Sequence, residues 1–333
     1  MRRLIAACLA ASALLAGCAG NDSGSRPLQV TDELTAATPA TAPPTDTEPA
    51  GRIVQAPPAD HAVVLPEQHT LALAGAGRAS LTLFDTRALD EPPRTVDLPA
   101  PAASLRPLRD GEALLAALPE ADTVAEIDLE TGRLNRTPVA GGPADALPVG
   151  EELFVARPAA KDVAILRDGE IQRRVGGFPG ASELLRRGET VLVLDRLTTS
   201  LTPLDIDTGD KQPALRAGEG ATRAVTDGFG RVLVVDTRGE ELMAFATEPL
   251  IMKQRSPAAG SPYGLAYDPG QDLAWVTLTA RNELVGYDTA TGQAKETHRV
   301  PTVRQPESVA VNPETGTRYI ASAAGEGLQV VRN

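Results

Sequence analysis

Few side chains in this 333-residue chain can do chemistry on their own. There are two cysteines, Cys8 and Cys18, three histidines, His61, His69 and His298, and aromatic residues make up only 3%. Histidines so widely spaced do not build a zinc site, whose ligands must converge on one centre. Scarce aromatics disfavour sugar and single-stranded nucleic-acid platforms, which stack their ligands on exposed rings. Positive charge is also short. Against 44 Asp and Glu stand 32 Lys and Arg, a formal net charge of -12, so most of the surface repels nucleic acid and anionic lipid. No Gly-x-Ser-x-Gly elbow is present, and no serine is placed near a histidine by spacing, so nucleophilic hydrolysis lacks its usual assembly.

The first residues suggest an address. Arg2 and Arg3 precede "LIAACLAASALL", an apolar stretch of signal-peptide length, too short to span a membrane as a stable helix. It ends in "LAGC", Leu15 to Cys18, whose small residues before a cysteine resemble the bacterial lipobox. The resemblance implies a lipoprotein signal peptide at 1–17, diacylglycerol on Cys18, and a chain anchored on the extracytoplasmic face of a cell membrane. The alternative is that Cys18 is only a small apolar residue of the leader. Two acyl chains anchor stably where one is marginal, at ~0.8 kcal/mol per buried methylene. Cys8 would leave with the leader, and the mature chain would then have no thiol for a disulfide, a metal or a nucleophile.

After Cys18 comes "AGNDSGSRPLQVTDELTAATPATAPPTDTEPA", rich in Thr, Pro, Ala and acids. Such a segment buries too little apolar surface to offset its ordering entropy, so residues 18–50 read as a disordered tether, on the order of 30 Å in reach. From Gly51 the text changes to short apolar runs bounded by Gly, Pro, Asp or Asn: "TLALAG", "ALLAAL", "LFVAR", "VLVLD", "VLVVD", "LAWVTL" and "RYIAS". None shows helical periodicity over a dozen residues, and many short strands with regular turn signals indicate an all-β chain. The segments preceding these runs start at Ala59, Ala102, Ala144, Ala181, Ala221, Pro262 and Pro306, at intervals of roughly 37 to 44 residues. That period fits propeller blades of four strands, which must stack radially because one sheet cannot hide both its faces. The seventh unit ends one strand short, and "RIVQAP" at about 52–57 can supply its outer strand, leaving no open blade edge. The expectation is a seven-bladed β-propeller over 51–333.

A recurring Asp-x-x-Thr-Gly, at "DLETG" from Asp128, "DIDTG" from Asp205 and "DTATG" from Asp288, sits between third and fourth strands. The Asp can accept backbone N–H groups and the glycine can supply a positive φ, so a tight turn is expected. "ILRDGEI" at 165–171 does the same with Asp-Gly. A calcium loop fails on spacing, because it needs acids at alternate positions, glycine sixth and a distant glutamate. The motif also resembles quinone-cofactor propellers, but those follow it with a docking tryptophan; here the sole tryptophan, Trp275, lies in a strand run. No cofactor is expected.

"PYGLAYDPGQDLAWVTLTARNELVGYDTATGQ" and "PESVAVNPETGTRYIAS" are similar to the YVTN-repeat, YncE-like seven-bladed propellers. Trp275-Val276-Thr277-Leu278 stands where the family writes Tyr-Val-Thr-Asn. The earlier units match only in outline. The resemblance implies fold, and function has to be argued from a site.

Propellers usually bind at the channel mouth where the loops entering each blade meet the loops between second and third strands. His61, Asp145, Glu183, Arg223, Tyr263 and Glu307 fall on the first set, and Arg78, Arg157, Arg196, Arg238 and Arg281 on the second. A ring of guanidinium groups on an acidic protein favours a carboxylate or phosphate ligand, unless each arginine pairs with a nearby acid such as Asp195, Asp236 or Glu240. Tyr263 caps a ligand or plugs the channel. No catalytic residue and no metal ligand is assigned. The expected function is a monomeric, lipid-anchored docking or binding module for a protein partner or small anionic solute, with no nucleic-acid partner. The alternative is a hydrolase or lactonase using acids and His61, and a third reading, a metal chaperone, is disfavoured by the histidine count.

Overall fold

The computed structural model describes residues 34–332; the leader, Cys18 and the first part of the expected tether lie outside them. Seven four-stranded antiparallel sheets follow one another along the chain. Their inner strands are His61–Leu65, Ser104–Leu108, Asp145–Val149, Ala181–Arg187, Ala221–Thr226, Pro262–Asp268 and Pro306–Val311, in blades 1 to 7. The seven apolar runs of the sequence are the second strands, from Thr70–Gly75 in blade 1 to Arg318–Ser322 in blade 7.

These runs are apolar on both alternating sets of positions through their middle, because both faces of each sheet are covered. In blade 4, Val191 and Val193 pack with Phe154 and Ile165 of blade 3, while Leu192 and Leu194 pack with Val232 and Val234 of blade 5. Leu114 and Leu115 divide in the same way between blades 1 and 3. Strand alternation sends odd and even residues to opposite neighbours. Apolar clusters join blades 1/2, 2/3, 3/4, 4/5, 5/6, 6/7 and 7/1, so the core is a ring of wedges. Each fully buried Val or Leu contributes about 1.5–3 kcal/mol.

The ring closes as the sequence suggested. Arg52–Val54 pairs antiparallel with Leu328–Val331, with Arg52 opposite Val330, Ile53 opposite Gln329 and Val54 opposite Leu328. Blade 7 therefore takes its outer strand from the N-terminal side of the chain.

The turn expectation holds at two sites and changes at the third. Asp128 Oδ1 accepts from Thr131 N and Thr131 Oγ1, both at 2.7 Å, and Gly132 has φ 72°. Asp205 does the same with Thr208, at 2.8 and 3.0 Å, and Gly209 has φ 73°. The hydrogen bonds from Thr131 and Thr208 hold both carboxyls below their ordinary pKa. At Asp288 the acceptor serves Ala290 N instead. There Gln254 donates to Thr289 O and Thr291 O, and Arg231 to Thr289 O, so blade 5 sets that turn. Asp168 and Gly169 are both left-handed, as a two-residue hairpin turn requires.

The tether expectation is corrected for residues 35–50. Ala37 and Ala42 are buried, and the segment runs along one mouth of the ring, hydrogen-bonded to loops of blades 4 to 7. Its order comes from backbone hydrogen bonds rather than apolar burial, which is why composition concealed it.

Val54 is buried in the cluster that joins blades 7 and 1. Val54→Asp places an unpaired carboxylate at the seam and is expected to cost on the order of 2–4 kcal/mol. The urea unfolding midpoint measures it; an unchanged midpoint means the seam strand contributes nothing.

Candidate functional site

At the inner edge of a blade, one strand presents its backbone to the channel. Acids of the neighbouring blade answer it. Asp145 Oδ2 in blade 3 accepts from Leu184 N in blade 4 at 2.8 Å. Glu183 Oε2 in blade 4 accepts from Ala224 N in blade 5 at 2.6 Å. Ser308 Oγ in blade 7 accepts from Ala62 N in blade 1 at 2.9 Å. Arg106 serves the carbonyls, donating to Ala146 O (3.0 Å) and Leu184 O (2.8 Å), and also donates to Asp145 Oδ2 (2.8 Å). These side chains satisfy strand edges that would otherwise face the channel unpaired.

The six residues expected on the blade-entry loops lie instead within the first three residues of the inner strands, where their side chains gather around the channel. Glu183 pairs with Arg223 at 3.1 Å, and Arg223 reaches across to within 3.5 Å of His61 Nε2. His61 Nδ1 lies 2.7 Å from Asp60 Oδ1. With Asp60 as acceptor, Nδ1 carries a proton, and Nε2 faces Arg223. Tyr263 is buried, with Arg196 and Arg223 guanidinium groups 5.9 and 5.7 Å from its ring centroid. Glu307 accepts from Gln305 Nε2 at 2.8 Å.

Electrostatics follow from burial. Burial pushes the Glu183 carboxyl above its ordinary value against the pull of Arg223, with Asp145 adding to the rise. Burial likewise raises Glu307, helped by the nearby Asp60. At Asp60 burial opposes the charge, but the hydrogen bond and charge of His61 outweigh it and hold the carboxyl down.

The five arginines of the other loops do not form one ring. Arg157 is buried, clamped to Asp162 at 2.9 and 2.7 Å and donating to Ala140 O, so it holds its own loop. Arg196 donates to Ala37 O at 2.7 Å, and Arg238 to Glu219 O and Thr35 O. Arg78 and Arg281 are exposed at the rim. Asp195 and Asp236 are not their partners: each is fully buried and accepts backbone N–H groups, Gly180, Leu197 and Thr198 for the first, Glu219, Gly220 and Gly239 for the second.

Sequence reasoning missed Asp60, Arg106 and Gln305. Asp60 directly precedes His61, which was a usable signal. Arg106 is the third residue of its inner strand, as Glu183 and Arg223 are of theirs. Gln305 left no trace, since its partners are 263 and 265 positions away. At the opposite mouth a cavity of about 650 Å³ is lined by Leu65, Pro66, Pro107, Leu147, Pro148 and Pro313, with Arg106 reaching it from the channel. His69 lies in a turn on that side, and His298 is exposed in the outer strand Lys295–Pro301, 5.6 Å from the Trp275 ring. Among the described residues no group of three or more His, Cys, Asp or Glu could hold a metal ion.

No protein-family model matches the chain, and no curated protein matches it. Solved structures share the fold. A chain of Kuenenia stuttgartiensis hydrazine synthase superposes with TM-score 0.69 at 18% identity, covering 86% of this chain and 99% of that one. A chain of the mitotic checkpoint complex gives 0.70 at 12%, covering 97% and 99%. A streptogramin B lyase gives 0.67 at 12%, covering 86% and 96%. At these identities the likeness establishes the propeller and leaves activity to the site.

Glu307 supplies a pH test. Its folded pKa lies above the ordinary 4.5, so its contribution to stability is fully present below pH 4.5 and is lost as pH rises through the raised value. Glu307→Gln is expected to leave acid stability unchanged and to become progressively more stable than the parent from pH 4.5 towards neutrality. Urea titrations at stepped pH measure this, and a difference that instead grows towards acid contradicts it.

Proposed function

We propose that this protein is a lipid-anchored propeller on the extracytoplasmic face of a bacterial membrane, held through Cys18, and that it acts as a non-catalytic docking or binding module. Its partner is a protein or a small anionic solute. The observation that carries the reading is the use to which polar groups are put. Channel acids and arginines are spent on one another and on strand edges, while the loops at one mouth hold an extended stretch of polypeptide. "LAGC" supports the anchor, and the YVTN-like wording of residues 262–293 supports placing the chain among the YncE-like propellers.

Photo-crosslinkers at positions 238 and 281 of the membrane-borne protein test the docking. A discrete adduct from these rim positions, absent when the crosslinker sits at outer-strand residue 172, is expected. Equal, diffuse labelling from all three positions overturns it.

One observation favours a second reading. The hydrogen-bonded His61–Asp60 pair faces the channel beside Arg223, an arrangement that suits proton transfer to or from a small ester or lactone. Under this reading purified protein turns over lactone esters steadily, and His61→Ala abolishes the rate. No turnover above the buffer rate removes it.

A further inference from the structure

Residues 35–50 lie on the mouth as a bound peptide lies in a groove, and the loops contact their main chain. Gln305 uses both ends of its side-chain amide: Nε2 donates to Ala40 O at 3.0 Å, and Oε1 accepts from Ala42 N at 2.8 Å. A neighbouring strand pairs with residues two apart in the same way. Ser261 Oγ accepts from Ala40 N at 3.0 Å, and Asn282 Nδ2 donates to Pro43 O at 2.9 Å. Arg196 holds Ala37 O. Contacts of this kind read an extended backbone and are largely indifferent to side chains.

Two sockets add selectivity. Ala37 and Ala42 are 4% and 2% exposed, and a Cβ built on Gly220 would come within 2.7 Å of the Ala37 Cβ. The first socket therefore closes on a single methyl. Pro39, Pro43, Pro44 and Pro49 have no N–H and favour an extended chain, so the segment carries few donors to satisfy. It belongs to no strand, and two alanine methyls add little to a core made of seven apolar clusters. Displacing the segment therefore uncovers little apolar surface.

We propose that the mouth formed by loops of blades 4 to 7 is a recognition groove for an extended, alanine- and proline-rich peptide, filled in cis by residues 35–50, and that a second segment of the same chemistry can replace them in trans. This rests on the docking reading and names the class of partner. Specificity lies in small residues five apart with an intervening proline, and affinity in the main-chain contacts from Gln305, Ser261, Asn282 and Arg196.

The test uses the full chain carrying Ala37→Asp and Ala42→Asp, which cannot enter the sockets. Limited proteolysis within 35–50 reports release, and fluorescence anisotropy reports binding of a labelled synthetic peptide with the natural sequence of residues 35–47. Cleavage is expected to accelerate. The peptide is expected to bind the double variant and to bind the parent, whose groove is filled, at least about tenfold more weakly; adding Gln305→Ala to the double variant weakens binding by about tenfold, as loss of two hydrogen bonds implies. Three results overturn the proposal: cleavage that does not change, a released segment with no peptide binding, or binding indifferent to Gln305→Ala. Failure here with rim crosslinking intact refutes the peptide groove alone, whereas failure here together with no rim adduct refutes the docking reading as well.

Discussion

Each blade of this protein has two apolar faces, and everything else follows from having to cover both. Val191 and Val193 need blade 3, Leu192 and Leu194 need blade 5, and the same demand passes from sheet to sheet until it returns to its origin. An open array would leave two apolar faces in water at its ends. The seam is where this demand meets the linear chain. Arg52–Val54 crosses it, pairing with the last strand and packing Val54 into the blade 7/1 cluster, so closure is made by hydrogen bonds and apolar contact together.

Closure creates a second constraint at the centre. Inner strands have no fifth strand beside them, so their channel-facing amides need acceptors. Asp145, Glu183 and Ser308 provide them one blade over, and Arg106 and Arg223 tie the carboxylates in place. A polar channel of this kind resembles a binding site in composition, and here the same groups satisfy strand edges. Higher up, on the loops, Arg196, Ser261, Asn282 and Gln305 hydrogen-bond the main chain of residues 37–43.

The blades were legible in the sequence because burial on both faces removes alternation, leaving compact apolar runs such as "VLVLD" between turn residues. Turns at Asp128 and Asp205 were legible because their hydrogen bonds are local. The turn at Asp288 was not, since Gln254 and Arg231, more than 30 positions earlier, hold it. The gathering of His61, Glu183, Arg223 and Tyr263 was foreseen from repeat position alone. What escaped was pairing: Arg157 with Asp162, and Asp195 and Asp236 with backbone amides, which depend on loop shape. Residues 35–50 escaped most completely, because low hydrophobicity argues for disorder only when a segment must hold itself in place.

Hydrogen exchange across residues 50–57 tests the central claim most directly. If the N-terminal strand closes the ring, amides at Arg52–Val54 exchange as slowly as those of outer strands in other blades, such as Glu170–Gly176, under the same conditions. Exchange at the rate of an unstructured peptide, with the other blades protected, would mean that the ring is held shut by something else.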